Sequence, residues 1–148
     1  MSGIVRQIRS NELTKLLNLY THLHQDDPDV SQNEGLYRLW CDICNDPNLY
    51  YLVIEENGIL VSSCTLVIIK NLTRNLRPYG LIENVVTHSE FRKRGLGTMV
   101  LQEAIAIAKQ NDCYKVMLLT SSKKEETLRF YDRAGLQRGI KTGFIVNL

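Results

Sequence analysis

The segment Arg92-Lys93-Arg94-Gly95-Leu96-Gly97-Thr98 has the residue types and spacing to bind an anion. Before it lies an apolar, β-branched run around Ile82, Val85 and Val86 that suits a buried strand. After it, Leu96, Val100, Ala104, Ile107 and Ala108 recur at the spacing of one helix face. A strand that passes to a helix through Gly-x-Gly aims free backbone N–H groups and a helix N-terminus at one point, which is a place to hold phosphate. Glycine at 95 and 97 lets the backbone approach closely and take φ values that other residues resist, and the three basic residues add positive charge. Glu83 is the second candidate. An acid in an otherwise apolar strand needs a reason, either a structural hydrogen bond or work as a base in a cleft.

Other chemistries fit less well. A P-loop needs GxxxxGK[ST], which the chain lacks, and the dinucleotide fingerprint would need a third glycine after Gly97. No Gly-x-Ser-x-Gly turn marks a serine nucleophile. Cys41-Asp42-Ile43-Cys44 has CxxC spacing but no second pair of ligands, and it falls within a helical pattern, so packing is expected rather than metal or redox work.

The 148 residues are expected to form one domain, 1–148, with a core that needs neither metal nor disulfide. A net charge of +2 gives no argument for nucleic acid or a membrane surface. No apolar run approaches the length of a membrane span, and charges in Met1 to Arg9 sit where a signal peptide would be apolar. The expectation is a cytoplasmic protein with reduced thiols.

The elements that must position these residues follow from periodicity. Ile4 to Arg9 reads as a first strand, and a helix follows from a Ser10 cap, lined by Leu13, Leu16, Leu17, Tyr20 and Leu23. A polar loop, His24 to Asp29, leads to a capping box at Ser31–Glu34 and a second helix bearing Leu36, Leu39, Trp40 and Ile43. Strands at Leu49 to Glu56 and Ile59 to Lys70 flank Asn57-Gly58, the strongest short hairpin signal. Beyond the long helix, Tyr114 to Thr120 reads as a strand. A second capping box at Ser122–Glu125 opens a helix with Leu128, Tyr131 and Ala134 that stops at Gly135, and Thr142 to Leu148 reads as a last strand. The order is β-α-α-β-β-β-α-β-α-β, with one further short strand near Leu136 to Arg138. This is an α/β (α+β) arrangement: a mixed sheet flanked by helices.

Arg92-Lys93-Arg94-Gly95-Leu96-Gly97 matches a pattern Arg/Gln-x-x-Gly-x-Gly/Ala, and Phe130-Tyr131-Asp132-Arg133-Ala134-Gly135-Leu136 looks like Phe-Tyr-x-x-x-Gly-Phe. On these two motifs, in this order and on these elements, the chain resembles the GNAT superfamily of acetyl-CoA-dependent N-acetyltransferases. The resemblance implies a mostly antiparallel central sheet, acetyl-CoA as co-substrate and no metal. It implies that Arg92, Lys93, Arg94, Gly95, Leu96, Gly97 and Thr98 surround the pyrophosphate, and that pantetheine pairs with backbone at Val85 and Val86. Tyr131 would then be the acid that protonates the leaving thiolate, and Glu83 the base that takes a proton from the amine, directly or through water. Alternation along the strand would place Asn84 on the face opposite Glu83.

Ile82-Glu83-Asn84-Val85-Val86 also looks like the glucosamine-phosphate branch of the family, which has an aspartate where this chain has Asn84. Lys124 stands where many members place an asparagine that contacts pantetheine. The acceptor site would be built from 22–30, Trp40, Tyr50 or Tyr51, and 71–79, with Arg74 and Arg77 able to hold a phosphate or carboxylate. The expected reaction is direct acetyl transfer to a primary amine of a small molecule. An amino sugar phosphate or a peptide or protein amine is the alternative acceptor, and an acyl-CoA-binding module without turnover is the alternative class. The family's frequent dimers make a homodimer an expectation, with no nucleic-acid or membrane partner.

Overall fold

In the computed structural model, which describes residues 3–148, Asn57 and Gly58 have φ of 52° and 80°, as a tight primed turn requires. The strands on either side, β2 (Leu49–Glu56) and β3 (Ile59–Ile69), pair antiparallel along their length. A two-residue β1 (Arg6–Gln7) adds antiparallel to the outer edge of β2. On the other side, β4 (Tyr79–Thr87) pairs antiparallel with β3, and a crossover through α4 (Leu96–Gln110) brings in β5 (Val116–Met117), parallel to β4. The sheet order is β1-β2-β3-β4-β5, mixed and mostly antiparallel.

Helices cover both faces of this sheet. On one side α1 (Leu13–Tyr20) and α2 (Glu34–Asn45) bury Leu16, Leu19 and Trp40 against Val53, Leu60 and Val86. On the other, Leu96, Val100, Leu101, Ala104, Ile107 and Ala108 of α4 pack on Leu52, Ile54, Leu66 and Ile82. The helix α5 (Glu125–Arg133) joins that second layer through Phe130, Tyr131 and the following Ala134. The chain leaves it at Gly135, whose φ of 106° only glycine adopts without strain.

Several expectations about local structure change. The acceptor-side α2 is capped by Asn33, whose side chain accepts from the Leu36 N–H at 3.0 Å, so the Ser31–Glu34 box is not formed. Ser122 accepts from the Lys124 N–H and leaves Lys124 as the N-cap of α5, so the second box is not formed either. Ser10 opens a short 3-10 turn and offers its carbonyl to the Trp40 indole N–H at 2.8 Å rather than capping α1. Cys41 and Cys44 are exposed on α2 and do not pack into the core. The four-residue α3 (Thr73–Leu76) is a left-handed turn, with φ of 55°, 58° and 64° at Arg74, Asn75 and Leu76.

The largest change is at the end of the chain. Neither 136–138 nor 142–148 forms a strand. β5 pairs for two residues only, and Arg138 is tied to Glu125 and Asp132, which holds the chain beside α5 as it leaves. The tail then passes Leu119 closely at Gly143 without aligning its backbone with any strand.

Candidate functional site

The site is organised by an irregularity in β4. Ser63 pairs with Val86 and Thr65 with Glu83, so Cys64 faces two residues, Asn84 and Val85. Asn84 takes the extra step with φ of 52°, as a β-bulge requires. The bulge resets the alternation. Glu83 faces the α1–α2 side together with Thr65, and Val86 faces that side too, whereas Val85 packs with the α4 layer. The expected opposition of Glu83 and Asn84 does not hold, because Asn84 lies near enough to the Tyr20 hydroxyl to influence its titration. Both residues are exposed.

Beyond Leu81, the last residue paired to β5, β4 continues to Thr87 with no strand on its far side. The two parallel strands therefore part where the bulge lies, leaving an open edge of backbone along Val85 and Val86. Tyr131 approaches this opening from α5. Its hydroxyl is pushed above the ordinary tyrosine range, mainly by burial and then by Cys64 and the nearby Glu83 carboxylate, with Thr120 acting the other way. The structure thus brings Tyr131 and Glu83 into electrostatic range of each other across the strand. Cys64 is a packed thiol, not a nucleophile: it donates to the Val100 carbonyl, and burial pushes it up to about 12.

The glycine turn sits where β4 gives way to α4. Gly95 is the N-cap in left-handed conformation, φ 80°. Among the described residues, the backbone N–H groups of Arg94, Gly95, Leu96, Gly97 and Thr98 have no acceptor within the chain, so they form a cradle for an anionic group. The basic triplet divides its duties. Arg92 donates to the carbonyls of Thr87 and His22, tying the end of β4 to the end of α1. Arg94 pairs with Glu56 at 3.2 Å and lies over the Phe91 ring. Lys93, 86% exposed and 3.9 Å from Glu126, is the least engaged. Gly97 is buried against Phe130 and serves packing more than approach to a ligand.

On the acceptor side, the Asn71–Tyr79 loop is stiffened by Asn71, whose amide donates to the Thr73 and Arg77 carbonyls. Arg77 is itself held, donating to the carbonyls of Asp112 and Cys113, while Arg74 lies over the Tyr114 ring. The loop aspartates 26, 27 and 29 are exposed. A shallow cavity lined by Lys15, His22 and His88, among others, contains neither Glu83 nor Tyr131.

Sequence reasoning missed the polar wall beside Glu83. Ser63 and Thr65 point from β3 to the α1–α2 side, and with Tyr20 they present buried hydroxyls that have no hydrogen-bond partner among the described residues. Burial pushes Tyr20 up to about 12 and Tyr51 upward as well. The available signal was the polar pair Ser63 and Thr65 within an otherwise apolar strand.

Residues 16–136 match the model of the acetyltransferase (GNAT) family. A solved structure from Agrobacterium tumefaciens strain C58, carrying an acetyltransferase designation, is 39% identical, covers 98% of this chain and 99% of its own, and superposes with a TM-score of 0.91. The glucosamine 6-phosphate N-acetyltransferase of Trypanosoma brucei brucei is 28% identical over 144 residues, 90% of this chain and 88% of that protein. The human N-alpha-acetyltransferase 30 is 28% identical over 111 residues, 74% of this chain but 30% of that protein.

Proposed function

The chain belongs to the acetyltransferase (GNAT) family and is an acetyl-CoA-dependent N-acetyltransferase; on that premise we propose that its acceptor is the primary amine of a small, hydroxylated molecule. The acetyl group passes directly within a ternary complex. The observation that carries the acceptor class is the wall beside Glu83, where Tyr20, Ser63 and Thr65 offer buried hydroxyls with no protein partner among the described residues. Buried hydroxyls favour a ligand that brings its own hydrogen-bonding groups.

The proposed roles follow the geometry. The free N–H groups from Arg94 to Thr98, aided by the dipole of α4, hold the pyrophosphate. The open edge of β4 at Val85 and Val86 pairs with the pantetheine arm. Glu83 removes a proton from the acceptor ammonium, directly or through one water, and the freed lone pair attacks the thioester carbonyl carbon. Negative charge gathers on the carbonyl oxygen, which a backbone N–H at the bulge can stabilise. As the carbon–sulfur bond breaks, the thiolate takes the Tyr131 proton, and acetylated amine and free thiol leave. Tyr131 suits this task because burial and the neighbouring carboxylate keep it protonated.

An amino sugar phosphate is a specific member of this class, supported by the likeness to the trypanosomal relative. Arg77, engaged with the Asp112 and Cys113 carbonyls, is not free to hold its phosphate, which leaves Arg74 and Lys93 as candidates. The test is kcat/KM across glucosamine 6-phosphate, unphosphorylated amino sugars, simple alkylamines and peptides with a free N-terminus. The reading expects hydroxylated small amines to lead; peptides surpassing every small amine would overturn it.

A further inference from the structure

The sheet ends on β5, which pairs with β4 for two residues and has no strand on its outer side. Val116 and Leu118 turn toward the α4 layer, but Met117 and Leu119 on the other face are 38% and 61% exposed. The same chain carries an unplaced strand. Residues 141–148 are extended and make no strand pairing, yet their sequence is β-branched and apolar. Ile140, Phe144, Ile145, Val146 and Leu148 are each at least 70% exposed. An open, partly apolar edge and a free apolar strand are each a liability in water. Together they are complementary.

We propose that the tail of one copy adds as a strand to the β5 edge of a second copy, making a two-fold dimer. Added there, alternation sends Phe144, Val146 and Leu148 to one face of the sheet and Ile145 to the other. The uncovered Met117 and Leu119 then lie under a neighbouring strand. The chain's own β5 is a poor host, because Arg138 is fixed to Glu125 and Asp132 beside α5, and the tail already passes Leu119 at Gly143 without pairing.

A second copy is the occupant that consumes both features at once. Each chain has one free strand and one free edge, and a two-fold closes both without leaving a site for further growth. Five large, exposed apolar side chains per copy, docked twice, bury area on the scale of the roughly 1,000 Å² that a specific interface needs. Lys141 is the only charged side chain in 141–148, so the tail has little to keep it in water.

Sedimentation of the full chain tests this, together with a photocrosslinking residue in place of Phe144 in an equal mixture of light and heavy-isotope chains. The expected mass is twice the 17.0 kDa of one chain, halved in the Phe144→Asp/Ile145→Asp variant. Crosslinks from position 144 to 114–120 should carry mixed isotopes. A monomer at concentrations up to about 100 μM, where an interface of this size is populated, would overturn the proposal. So would crosslinks joining only chains of one isotope, a result that does not depend on the aspartate variant folding.

Discussion

The ring of Phe130 fills the space that a side chain at position 97 would need: a Cβ on Gly97 would lie 2.8 Å from its Cζ and 3.0 Å from its Cε1. The two sequence motifs are therefore one physical unit. Gly97 lets α5 seat its aromatic pair against the first turn of α4, and Tyr131, next in sequence, is thereby held at the opening of the sheet. Gly95 differs, since a Cβ there meets nothing within 4 Å and only its φ of 80° calls for glycine. Gly97→Ala should cost roughly 1–3 kcal/mol by overpacking, read from denaturant unfolding. Phe130→Leu in the same chain should recover part of that loss, whereas additive losses would show that the two residues do not press on each other.

Glu12 is buried at the base of α1 and accepts from Arg6 at 2.9 and 2.7 Å and from the Arg9 N–H at 2.8 Å. The Arg6 hydrogen bonds, opposed by burial and assisted by Arg9, bring its carboxyl down from 4.5 to about 2. A lowered folded pKa stabilises above the unfolded value, and that stability is lost as pH falls from about 4.5 toward 2. At ~1.4 kcal/mol per pKa unit, the contribution at neutral pH is about 3 kcal/mol. Glu12→Gln should lose most of it at pH 7 and little at pH 2, measured by unfolding at both. Equal losses at the two pH values would contradict the linkage.

Much of this architecture was legible in the sequence because the relevant signals are local. Asn57-Gly58 dictates the hairpin, and the three-to-four spacing from Leu96 to Ala108 gives the α4 face, every member of which is buried. The Asn84 bulge was not legible. Val-Val after Glu-Asn reads as regular alternation, and only pairing with β3 reveals the extra residue. The tail failed for the opposite reason: its residues have strand propensity, but a strand exists only with a neighbour, and the described chain supplies none. The Ser63–Thr65–Tyr20 wall needed the packing of α1 on β3, which no spacing rule contains.

That wall gives a second functional test. Thr65→Val and Tyr20→Phe remove hydroxyls with no protein partner among the described residues, so stability should change by less than about 1 kcal/mol. If these hydroxyls meet the acceptor, KM for the amine should rise while KM for acetyl-CoA stays constant. Unchanged kinetics in both variants would remove them from the acceptor site.

Glu83→Gln should lower kcat/KM for the amine by about 100-fold at neutral pH, the usual scale for loss of a general base. The deficit should shrink as pH approaches the acceptor amine's own pKa, where solution supplies the neutral amine. A constant deficit at all pH values would reduce Glu83 to a structural role.

Thiol release at saturating acetyl-CoA and amine, compared between the wild type and Tyr131→Phe, tests the arrangement across the bulge most directly. Because Tyr131 is raised above its ordinary value of 10, mainly by burial, the wild-type rate should show no alkaline loss below pH ~10. Tyr131→Phe should lower kcat by about 100-fold, with acetyl-CoA affinity unchanged. A variant that turns over within two-fold of the wild type (roughly 0.4 kcal/mol in the barrier) would contradict Tyr131 as the proton donor.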